Sequence, residues 1–167
     1  MKSKILALSL GLLSVLSFTA CGADPEAAKF KTEIDHFCTS ISEIDTAINN
    51  LDADSEAAIE ELLIYLDKLD SDFQGFAELD FPEEFDYLES LADESSAYMT
   101  EAVKSYHEAY GNNSYNEYTA EYAKENYSRA YKRVQVIITF LHGEEPEDVD
   151  LTVTTDADDT TASEAVQ

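Results

Sequence analysis

Basic residues are scarce in this chain, with 10 Lys and Arg against 36 Asp and Glu and a formal net charge of −26. Nucleic-acid binding depends on clustered Lys and Arg that release counterions from phosphates, so nucleic acid is excluded as a partner. The same charge is repelled by an anionic membrane surface, so any membrane attachment must come from lipid and not from charge. Glycine is also scarce, 5 in 167 residues, and none of the five belongs to a phosphate-cradling loop. No serine stands in a nucleophile-elbow context. Paired carboxylates abound, but among 36 acids such pairs are expected by chance. Catalysis therefore has no positive support, and no cofactor is implied. The 3 prolines, Pro25, Pro82 and Pro146, all fall where a helix would begin or end. The long apolar run from Ile5 to Leu16 is too short to span a bilayer core of about 30 Å. The whole chain is 44% hydrophobic, which is the composition of a folded single domain and not of a disordered chain.

The N-terminus has the layout of a secretory signal. Lys2 and Lys4 precede the apolar run, and the small residues Thr19 and Ala20 lead into Cys21 and Gly22. Phe18-Thr19-Ala20-Cys21 resembles the lipid-attachment motif of bacterial lipoproteins, although Phe18 stands where that class more often has Leu. The resemblance covers only the first 22 residues. It implies cleavage before Cys21, a diacylglycerol on the Cys21 thiol, and a location on the extracytoplasmic face of the cell membrane. It names no activity. Loss of residues 1–20 removes two lysines and no acid, moving the net charge to −28. With Cys21 occupied by lipid, Cys38 has no partner for an intramolecular disulfide.

Four helical segments follow. Asp24-Pro25-Glu26 caps and opens the first. Its apolar residues Phe30, Ile34, Phe37, Ile41, Ile44, Ile48 and Leu51 alternate in steps of four and three, a heptad stripe. After a turn at 49–54, Asp54 or Ser55 caps the second, striped by Ile59, Leu62, Leu66, Leu69, Phe73 and Phe76. Pro82-Glu83-Glu84 opens the third, with Phe85, Leu88, Leu91, Ala92, Tyr98, Met99, Ala102, Tyr106 and Tyr110 on or beside its stripe. Gly111 is placed to cap it in the left-handed conformation. Ser114 and Glu117 form a capping box for the fourth, which turns Tyr127, Val134, Ile137, Ile138 and Leu141 inward. Gly143 and Pro146 end it.

The expected fold is an all-α, antiparallel up-down-up-down four-helix bundle, its helices roughly 25 to 29 residues or about 40 Å long. The expected domains are a signal at 1–20, the lipidated cysteine and tether at 21–24, the bundle at 25–142 and a disordered acidic tail at 143–167. The tail holds nine acids and no Lys or Arg from Glu144 onward.

Eight of ten tyrosines lie between Tyr98 and Tyr131. Tyr106, Tyr110, Tyr115, Tyr118 and Tyr122 crowd the hairpin farthest from the lipid. Two readings stand: they widen the buried face of the bundle, or they form a recognition surface for a protein or cell-wall partner. Asn50, Asp52, Asp54 and Glu61 stand at offsets 1, 3, 5 and 12 of a calcium loop, but Ser55 replaces the glycine its bend requires. Glu33 and His36 make one Glu-x-x-His pair where a di-metal bundle needs two, so no metal site is assigned. The leading function is a non-enzymatic surface adaptor, and the alternative is a lipoprotein binding a small ligand or cation.

Overall fold

The structure, a computed structural model, describes residues 25–111 and 115–144. The signal segment, Cys21, the Asp24 cap, Ser114 and the tail from 145 onward lie outside the described residues. The four predicted helices are present: α1 at Pro25–Asn49, α2 at Ala58–Ala77, α3 at Glu89–Tyr110 and α4 at Glu117–Leu141. Among the described residues there is no strand. The fold is all-α.

Side-chain pairs show that each helix runs antiparallel to the one before it. Phe37 of α1 stacks on Phe76 of α2 at 4.3 Å, and Ser40 donates to Asp72 at 2.6 Å. Thr100 of α3 donates to Asp70 of α2 at 2.6 Å, while His107 lies 2.7 Å from Asp67. Arg133 of α4 reaches back to Glu94 of α3. The α3–α4 backbones approach most extensively, followed by α2–α3 and α1–α2. The α1–α4 seam is bridged instead by long side chains: Tyr127 and Tyr131 donate to Asp45 at 2.9 and 3.1 Å.

The α1 stripe is buried from Phe30 to Ile48, with Leu51 half-buried at the turn. On α4 the predicted Tyr127, Val134, Ile137, Ile138 and Leu141 are all buried. The aromatic residues are partly segregated, although Phe73 meets Tyr131 at 5.4 Å and Phe140 meets Tyr87 at 5.8 Å. Phe30, Phe37, Phe73, Phe76, Phe81 and Phe85 form linked ring contacts at the end where α1 begins and α2 finishes. The tyrosines of α3 and α4 run toward the opposite end. A Phe cluster needs no polar partner, whereas a Tyr hydroxyl needs water or an acceptor.

Several boundaries differ from expectation. α2 spans 20 residues and α3 22, shorter than predicted. Asp54 and Ser55 do not cap α2: Asp52 accepts the Asp54 amide and Ser55 the Ala57 amide, so both serve the preceding turn. Ile59 is 47% exposed, and Ala58 is buried in its place. Both sit in the first turn of α2, on opposite edges of its stripe. Pro82 does not enter α3. It precedes a 3-10 segment, Glu83–Leu88, and its carbonyl accepts the Phe85 amide at 2.6 Å, the i to i+3 bond of that geometry. Gly111 is right-handed, with φ −79°, because its amide still bonds His107 as the next helical residue would. The left-handed cap is Gly143, φ 73°. The N-cap of α4 is Asn116, whose side chain accepts the Thr119 amide at 3.2 Å. Glu117 is thus the first helical residue, too early for the far partner of a capping box.

Candidate interaction surface

The α3–α4 hairpin brings three of the five singled-out tyrosines into one row. Tyr106 and Tyr110, one turn apart on α3, stack at 6.4 Å with planes 16° apart. Tyr110 then meets Tyr115, which precedes α4, at 5.4 Å. Tyr118 and Tyr122 follow on the exposed face of α4. The two readings divide here. Tyr106 and Tyr110 are half-buried against the core. Tyr115, Tyr118 and Tyr122 are 59%, 84% and 43% exposed, so they do not fill the bundle.

Burial raises the Tyr106 hydroxyl pKa, and neighbouring Tyr110, Glu121 and Tyr115 add to it. Burial and Tyr115 act the same way on Tyr110. Both hydroxyls therefore stay protonated at neutral pH and act as donors. Further down the same seam, Tyr98 lies beneath two guanidinium groups, Arg133 at 4.3 Å and Arg129 at 5.7 Å from the ring centre. Arg133, only 9% exposed, also donates to Glu94 and to the Arg129 carbonyl.

Between α1 and α2 lies an open groove of about 710 Å³. Phe37, Phe76 and Leu79 supply apolar lining, with Glu33, His36 and Asp72 around it. Gly75 leaves its wall open, since a Cβ there would meet nothing within 4 Å. Glu33 and His36 thus border this groove. Asn50, Asp52, Asp54 and Glu61 stay at the α1–α2 turn, where Asn50 closes the end of α1 through Thr46 and Ala47. Among the described residues, no three of His, Cys, Asp and Glu converge in a way that could hold a metal ion. Cys38 is a half-buried free thiol, and burial, aided by Asp35, pushes it up to about 11. At neutral pH it is a thiol and a poor nucleophile.

The group that sequence reasoning missed is Asp45 with Tyr127 and Tyr131. Asp45 is only 7% exposed and accepts both hydroxyls on one oxygen. The signal was present. Asp45 falls in the α1 stripe between Ile44 and Ile48, and a carboxylate there must find buried donors. No family model matches this sequence, and no curated protein or solved structure is detectably similar to it.

Proposed function

We propose that this chain is a bacterial lipoprotein, held at the extracytoplasmic face of the cell membrane by lipid on Cys21, whose bundle is a non-enzymatic adaptor. Among the described residues no helix is long and apolar enough to cross a membrane. In this reading the acyl chains are the attachment, and two or more are needed for firm anchoring. α1 begins four positions after Cys21. The Phe-rich end then faces the membrane, and the α3–α4 hairpin points away from it. The observation that carries the adaptor reading is the exposure of Tyr115, Tyr118 and Tyr122 at that far end. Tyr offers a large rigid contact area and a hydroxyl at low entropic cost, which suits a protein or cell-wall partner.

Two measurements test this. Cys21→Ser abolishes membrane retention or leaves the precursor uncut. Normal cleavage with unchanged retention would refute the lipid anchor. A photo-crosslinker at Tyr118 captures a discrete partner in cells, whereas one at the exposed Glu89 does not. The groove between α1 and α2 favours a second reading, capture of a small ligand or cation. A crosslinker at Ser71, on its rim, tests it, and labelling there with none at Tyr118 would select that reading.

A further inference from the structure

We infer that the tyrosine row of the α3–α4 hairpin takes arginine side chains of a basic partner segment, an inference that rests on the adaptor reading above. The bundle carries its own template for this contact. On the α3–α4 seam Arg133 lies over the Tyr98 ring at 4.3 Å while its Nε–H donates to the Glu94 carboxylate. A ring beneath a guanidinium and a carboxylate at its side satisfy its charge and its planar donors together. The same seam continues toward the hairpin with Tyr106, Tyr110 and Tyr115. There the exposed Glu121 stands one helical turn after the exposed Tyr118 on α4, so a carboxylate and a ring again share one stretch of helix surface, and its charge adds to the raised Tyr106 pKa.

Charge supports the same partner. No Lys or Arg occurs from residue 32 to 67, which includes the whole α1–α2 turn at this end. Of the two lysines near the hairpin, Lys104 is paired with Glu101 at 3.6 Å. Lys124 lies about half a turn round α4 from Tyr122, on the side of Glu121 that faces away from the tyrosines. An acidic surface with exposed rings attracts cations at a distance and offers them π faces on contact. Arginine fits better than lysine because its flat guanidinium can stack and fork at once, as Arg133 does.

The test uses the purified full chain in a mild non-ionic detergent. Its probes are three fluorescent peptides that alternate glycine with arginine, lysine or citrulline, the neutral isostere of arginine. Anisotropy at physiological ionic strength should show the arginine peptide binding more tightly than the lysine one, with none for citrulline. Tyr115→Gln/Tyr118→Gln leaves the net charge unchanged and should weaken the arginine peptide about tenfold. Glu121→Gln, a single exposed change, should weaken it as well and serves if the double variant loses its helical circular dichroism.

Equal binding of the arginine and lysine peptides, untouched by loss of the tyrosines, would overturn the inference and leave general attraction to an acidic surface. No peptide binding, or binding of soluble wall glycan in preference to the peptides, would overturn it too. A partner captured from Tyr118 alongside such a failure would leave the adaptor reading standing without this partner class. Tyrosine-dependent, arginine-selective binding with a blank crosslink would uphold the seam chemistry and sink the cellular role.

Discussion

Asp45 shows how one polar residue can set the geometry of a helix seam. Its carboxylate is withdrawn from water, and two tyrosine hydroxyls from α4 replace the lost hydration. Burial raises its pKa, and the two hydrogen bonds pull it part of the way back. The folded pKa therefore lies above the unfolded one. Asp45 binds its proton more tightly in the native state, so its contribution is most favourable below the unfolded carboxylate pKa. It erodes as pH rises through the folded value. Asp45→Asn cannot ionise yet can still accept a hydroxyl. Its melting temperature should gain on that of the parent as pH rises from about 4 to about 7. The opposite trend in paired thermal melts would mean that the tyrosines stabilise the charged form outright. Tyr127 and Tyr131 have their own pKa values raised, first by burial and then by each other or by Asp45, so both remain donors throughout.

At the scale of elements, α1 is attached differently from the rest. It meets α2 through close backbone approach and stacked rings, but meets α4 through the Asp45 hydrogen bonds. The α1–α2 groove on its other flank is open partly because residue 75 is glycine. Gly75 lies inside α2 with ordinary helical geometry and free space at its Cβ position, so the structure does not require a glycine there. Gly75→Ala should stabilise the fold by about 0.5–1 kcal/mol by lowering the conformational entropy of the unfolded chain. The urea midpoint reads this. A loss of stability would show that α2 depends on bending at that residue.

For the whole molecule, charge is the largest unbalanced term. The chain's net charge of −26, with 26 acids against 8 basic residues in the bundle at 25–142, repels itself, and among the described residues exposed pairs such as Lys104–Glu101 and Arg129–Glu125 offset little of it. Added monovalent salt should raise the melting temperature by screening this repulsion, with most of the gain at low ionic strength. A chain that melts lower as salt is added would point to ion pairs outweighing repulsion. Most phenylalanines gather at one end of the bundle and the most exposed tyrosines of α4 at the other. In the proposed orientation the Phe-rich end faces the membrane and the exposed tyrosines face a partner.

The sequence by itself determined the four helices, since a heptad stripe such as Phe30 to Ile48 can be buried along one side only as a helix. It also determined the inward face of α4 and the sites of the chain breaks, where Pro25, Pro82 and Gly143 limit what the backbone can do. Only the tertiary structure decided how far the hairpin tyrosines are covered. Tyr106 and Tyr110 lie on the predicted α3 stripe yet are half-buried, and Tyr115, packed against Tyr110, is 59% exposed, because what packs over each ring is set by the neighbouring helix and not by the spacing. Local competition was equally beyond the pattern. Ser55 could cap a helix or a turn, Gly111 could turn left or stay right-handed, and the balance depended on which amides the folded backbone left unpaired. Asp45 was visible in the stripe, but its partners lie more than 80 residues away in the chain, and only packing brought them to it.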